Sequence, residues 1–182
     1  MPKRTPRPAT RSYRQFDEEV DELEFTFEYN PTETAALSRR LKANARIDVD
    51  DLRRVSLWKL NRVLEVSSAT LEKLRRVARN QKLTLESRGS REALEALVAS
   101  DGIGFPMATA ILKFVNPDVF PIIDVRAYRA YTGRKPSGAT YTFEKYAEYA
   151  RALRRIARAR DRPLREIDEQ LYCFDKKYNG KI

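Results

Sequence analysis

The sequence contains no histidine, which excludes an imidazole base, a Ser-His-Asp triad and a His-ligated zinc. Proton transfer is left to carboxylates, lysines and tyrosines. The one cysteine, Cys173, excludes an intramolecular disulfide and a four-cysteine iron–sulfur cluster, and it suits a reducing compartment. Long apolar runs are missing too. The most apolar stretch, 105–125, is interrupted by Lys113, Asn116, Asp118 and three prolines, far from the roughly 20 apolar residues of a membrane span. The first eight residues hold three prolines and no apolar core, so no secretory signal is expected and the location is read as intracellular, either cytoplasmic or nucleoid-associated.

Charge is plentiful. Charged residues make up 34% of the chain, against about 25% in ordinary globular proteins. Lys and Arg number 36 against 26 Asp and Glu, a surplus of +10 that points to a polyanionic partner, nucleic acid before membrane surface. A chain of 182 residues is one domain, or two small ones sharing a core, and buries roughly 70% of its unfolded surface. Residues 1–16 carry Lys3, Arg4, Arg7, Arg11 and Arg14 with no acid, and 17–28 carry Asp17, Glu18, Glu19, Asp21, Glu22, Glu24 and Glu28 with no base. Residues 1–29 therefore read as a flexible charged arm. Its basic part is either an electrostatic DNA clamp or a solvated tail, and part of the acidic block can fold back on it. Leu23, Phe25 and Phe27 alternate as in a strand, over too short a run to define one.

From Pro31 onward the apolar spacing is helical. It predicts helices over 31–46, 48–66, 68–80, 90–100, 105–115, 124–131, 141–160 and 163–177. The fold class is all-α, with a helical domain over 30–182. Tyr146, Tyr149, Ala150, Leu153 and Ile156 form an inner stripe of the seventh helix, and its arginines follow phosphates or solvent. The last helix is expected to pack through Leu164, Ile167, Leu171, Phe174 and Tyr178, leaving Asp168, Glu169 and Asp175 on the surface. Cys173 reads as structural.

Two segments carry chemistry. In Ser100-Asp101-Gly102-Ile103-Gly104-Phe105-Pro106-Met107-Ala108-Thr109, one helix ends, two glycines bracket an isoleucine and an apolar helix begins at once. Such a helix-hairpin-helix turns free amides and a helix dipole toward a phosphate; a tight connection whose glycines relieve crowding fits equally. In Phe120-Pro121-Ile122-Ile123-Asp124-Val125-Arg126, Asp124 opens a helix and is an N-cap by position. It follows Gly104 by 20 residues.

Together the two segments resemble the helix-hairpin-helix DNA glycosylase superfamily of the endonuclease III and adenine glycosylase kind, over about residues 100–131. The resemblance implies a two-lobed helical fold, with a hairpin lobe over about 66–121 and a second lobe from 30–65 plus 122–182. It implies a monomer that binds double-stranded DNA and flips a damaged or modified base out of the stack. Asp124 would be the carboxylate facing the sugar. Backbone contacts would come from Gly102, Ile103, Gly104, Met107 and Thr109 in the hairpin, joined by Arg126 and Arg129. Trp58, Lys59, Asn61 and Arg62 are pocket candidates from an early helix. Trp58 serves as a stacking platform or a core aromatic, and Lys59 and Arg62 as contacts or a solvated face. No cofactor is expected for catalysis, though the hairpin leaves room for a backbone-bound cation.

Departures matter as well. Bifunctional members of the superfamily carry a lysine two residues after the second glycine, where this chain has Pro106. A proline side chain forms no Schiff base, so strand cleavage is not expected; Lys113 and the amine of Pro2 are the alternatives. The iron–sulfur cluster is absent for want of cysteines. The glutamate of the adenine branch is missing from 56–62.

Overall fold

A computed structural model describes residues 30–41 and 47–181; the charged arm at 1–29 lies outside the described residues. Among the described residues the protein is all-helical, the only β-type pairing being one antiparallel bridge between Glu65 and Asp101. The helices are α1 Pro31–Leu41, α2 Val49–Lys59, α3 Ser68–Arg79, α4 Arg88–Val98, α5 Phe105–Val115, α6 Val125–Thr132, α7 Phe143–Ala159 and α8 Leu164–Tyr178. Polar caps explain several starts: Asp48, Ser67, Asp124 and Thr142 each accept a backbone amide of the first turn. Gly133 ends α6 in a left-handed conformation.

The end expected near residue 46 lies outside the described residues, and two other boundaries depart from the sequence pattern in an instructive way. The helix expected to run to residue 66 stops at Lys59 because Asn61 turns left-handed, at φ 50°. The Arg62 amide then reaches back to the Leu57 carbonyl at 2.9 Å, a helix end that asparagine tolerates better than most residues. The helix expected from Ser90 begins at Arg88, after Ser87, and Ser90 lies buried, donating to the Thr84 carbonyl at 2.6 Å.

A single apolar cluster joins α3, α4, α5, α7 and α8. It runs from Val77 through Leu94, Leu97, Ile103 and Leu112 to Tyr146, Leu153 and Ile167. Buried side chains on both sides of residue 121, where the lobe boundary was expected, belong to this cluster. The helices α1 and α2 pack on each other, and Leu37, the buried apolar residue of α1, stands outside that cluster. They meet the rest of the chain where residues 63–65 run against the turn at Asp101 and Gly102.

Charged side chains hold α8 in place, which corrects the surface reading of Asp168 and Asp175. Asp168 is 3% exposed and Asp175 is fully buried. Lys113 of α5 donates to both Asp168 oxygens at 2.9 and 3.0 Å, and to Glu169 at 2.8 Å. Arg129 makes a two-pronged contact with Asp175 at 2.7 and 2.8 Å, joined by Arg126 at 3.1 Å. The inward face of α8 is thus Leu164, Ile167, Asp168 and Asp175. Phe174 and Tyr178, expected inside, are 50% and 62% exposed, because Asp175 takes the inward position in the last turns. Cys173, read as structural, is exposed.

These carboxylates predict an acid limb of two opposing parts. Arg129, with Asn179 and Arg126, holds the Asp175 carboxyl well below the usual carboxylate range. Its stabilising contribution is complete above about pH 4 and is lost on further acidification. Burial raises the Asp168 carboxyl despite Lys113 and Ile122, so its ionisation works against the fold and acid relieves that cost. Urea unfolding followed between about pH 2 and pH 6 should show a flatter acid limb for Asp175→Asn and a steeper one for Asp168→Asn.

Candidate active site

Between α5 and α6 the chain crosses the interior without helix or strand. Phe120, Pro121 and Ile123 are buried along it. Its polar backbone groups are met by side chains from elsewhere, as burial requires. Arg154 donates to the Val119 carbonyl at 3.0 Å, Tyr146 to that of Pro121 at 2.8 Å and Tyr149 to that of Ile122 at 3.1 Å. The Ile122 amide donates to Asp168 at 2.8 Å, and the Ile123 amide to the Thr109 hydroxyl at 3.3 Å. Asp124 follows directly. Its Oδ1 accepts the Ala127 amide at 2.6 Å, which fixes the carboxylate at the N-terminus of α6, and its Oδ2 accepts no hydrogen bond from the described residues. Asp124 is partly exposed.

The charge of this carboxylate acts on two tyrosines. Burial, and secondarily the Asp124 charge, raises the Tyr141 hydroxyl, which keeps it protonated as a hydrogen-bond donor at neutral pH. Tyr149 is pushed up more strongly, mainly by burial and then by Asp168 and Asp124. Tyr141 stacks at a tilt on Phe105, the first residue of α5, with ring centroids 5.7 Å apart. The hairpin's second helix and the Asp124 segment are therefore neighbours, tied through Thr109–Ile123 and Phe105–Tyr141.

The hairpin glycines do different jobs. Gly102 has φ 75°, and a Cβ there would lie 2.2 Å from the Val63 carbonyl oxygen, so the fold itself requires glycine. Gly104 has an ordinary φ of −77°, and a Cβ on it would meet nothing within 4 Å. Beside it the amides of Gly104, Phe105 and Met107 donate to no backbone carbonyl among the described residues, and Pro106 has no amide to satisfy. Met107 is 41% exposed. An exposed, side-chain-free approach to several unspent amides at a helix N-terminus suits an anion.

Other sequence candidates take different places. The Ile103 side chain is in the core, and Thr109 is fully buried, its hydroxyl donating to Pro106 and accepting from Ile123. These two side chains pack and brace the turn. Arg126 and Arg129, expected on DNA phosphates, are committed to Asp175 and to the carbonyls of Asn179, Gly180 and Lys181. Among the described residues, Trp58 lines a groove with walls from α1 and α2, and its indole donates to the Thr34 hydroxyl at 2.8 Å. Lys59, Asn61 and Arg62 are exposed at the end of α2, with Arg62 immediately before Val63, whose carbonyl approaches Gly102. Lys113 is locked between Asp168 and Glu169 with its side chain 7% exposed. Pro2 lies outside the described residues. No group of three or more His, Cys, Asp or Glu is placed to hold a metal among them.

The bracing side chains of Tyr146, Tyr149 and Asp168 escape the sequence pattern as parts of a site. One signal existed: a buried tyrosine hydroxyl needs an acceptor, and the proline-bearing run beside Asp124 had carbonyls to offer.

The two glycines should separate by substitution. Gly102→Ala is expected to lose about 2 kcal/mol or more of stability, from left-handed strain plus the clash on Val63. Gly104→Ala should lose only about 0.5–1 kcal/mol, the difference between glycine and alanine at an N-cap; urea titration of both reads the contrast. Compared with family models, curated proteins and solved structures, the chain matches none.

Proposed function

We propose that the protein is a monofunctional DNA glycosylase in which Asp124 promotes hydrolysis of the bond between a damaged or modified base and its sugar. The observation that carries this reading is the pairing of a carboxylate, held by one oxygen and open at the other, with an unspent cluster of amides on the adjoining hairpin helix. The amides at Gly104, Phe105 and Met107 would hold a backbone phosphate. Asp124 would face the deoxyribose of the neighbouring, flipped nucleotide. As the base leaves with the bonding electrons, positive charge grows on the sugar. Asp124 Oδ2 stabilises that charge and orients the water whose oxygen bonds to the anomeric carbon, while the released base takes up a proton. The surplus of +10 supplies the long-range attraction to DNA.

The Ala127 bond to Asp124 favours a second reading, in which the carboxylate only caps α6 and the protein binds duplex DNA without chemistry. Asp124→Asn separates the two. Asparagine caps as well as aspartate, so fold and DNA affinity persist while the charge is gone. Base release should fall by about two orders of magnitude or more, assayed by mass spectrometry of bases freed from DNAs carrying different altered bases. Release at the wild-type rate would leave Asp124 a cap and no more.

The product should be an intact strand with an abasic site. Pro106 offers no side-chain amine and Lys113 is sequestered. Borohydride, which reduces a Schiff base to a permanent link, is therefore expected to trap no protein–DNA adduct. A trapped adduct would assign strand cleavage to an amine elsewhere in the chain.

A further inference from the structure

Among the described residues, the helical hairpin α1–α2 buries little apolar surface. Each helix has only eleven residues, a length that is marginal in water without packing. Leu37 is the one buried apolar side chain on the pair. An open groove of about 580 Å³ runs between the two helices, lined by Thr34, Leu37, Ser38, Leu41, Val55 and Trp58. Val49, Leu52 and Leu60 on α2 and its end are 61%, 57% and 64% exposed. Arg39, Lys59 and Arg62 are exposed on the same two helices and the turn that follows.

We infer that the acidic segment of the same chain, residues 17–28, is the occupant of this groove, seating Leu23, Phe25 and Phe27 against Trp58, Val55 and Leu41. Three observations select it over other covers. The segment joins the fold at Asn30, whose carbonyl accepts the first backbone bond of α1, so Phe27 is only a few residues from a helix that walls the groove. Its apolar residues alternate, so an extended run presents Leu23, Phe25 and Phe27 to one side and Glu22, Glu24 and Glu28 to the other. Its seven acids and no base complement Arg39, Lys59 and Arg62. Trp58 then packs against the chain's own segment and is not a platform for a flipped base. The inference is independent of Asp124.

Trp58 is the only tryptophan, so its emission reports on this groove alone. In the full chain, the combined variant Leu23→Asp, Phe25→Asp and Phe27→Asp is expected to shift Trp58 emission to the red and raise acrylamide quenching several-fold. The near-UV signal of the tyrosines in the main core should be unchanged. A synthetic peptide of residues 17–29 added to that variant should reverse both effects, less well at high salt. A second full-chain variant, Glu22→Lys with Glu24→Lys and Glu28→Lys, keeps the apolar set and should give a smaller red shift. Unchanged Trp58 quenching in the first variant overturns the inference, as does an exposed Trp58 that the peptide fails to cover. Wild-type quenching that rises on dilution would assign the groove to a second copy and overturn it equally.

Discussion

A buried stretch of extended backbone with no strand beside it must find its hydrogen-bond partners among side chains, and residues 119–124 impose that requirement on the rest of the molecule. Arg154, Tyr146 and Tyr149 come from α7, Thr109 from α5 and Asp168 from α8. Each must sit at hydrogen-bond distance, because a buried carbonyl or amide without a partner costs about 1–3 kcal/mol. The register of three helices is thereby set from the centre outward. Asp124 inherits this rigidity without being buried itself, which suits a carboxylate that must hold its place while charge develops beside it.

The cations divide into two populations. Lys113, Arg126, Arg129 and Arg154 are spent internally on carboxylates and carbonyls. Removing one partner of such a pair strands a charge or a polar group in a dry setting, so these positions report on folding before anything else. In the proposed function, attraction to DNA would fall instead to the exposed basic residues and to the amides at the start of α5. Arginine number alone is accordingly a poor guide to where DNA would lie on this protein.

Much of the architecture was legible in the sequence. The helices α3, α5, α6, α7 and α8 combine apolar spacing with clear starts or stops, and the 105–115 and 163–177 expectations fall within a residue of α5 and α8. Asp124 was legible as a cap. What was not legible depends on pairings remote in sequence. Asp168 and Asp175 read as surface residues because their partners lie 46 to 55 residues away, and no local pattern announces Lys113 or Arg129 as a neighbour. The early end of α2 rests on one left-handed asparagine within a run that otherwise continues helically. The hairpin was legible as a motif, but not the division of labour between its glycines, since only the Val63 carbonyl distinguishes Gly102 from Gly104.

The ties on α6 have a consequence for the chain's far end. This helix has eight residues; Asp124 caps its start, and Arg126 and Arg129 grip Asp175 together with the carbonyls of Asn179, Gly180 and Lys181. The last residues of the sequence thus act as a tether on the helix that carries the candidate carboxylate. Any change that pulls residues 179–181 aside would slacken that tether. Its effect would be felt at α6 before the apolar core, so this segment lends the candidate site mechanical support.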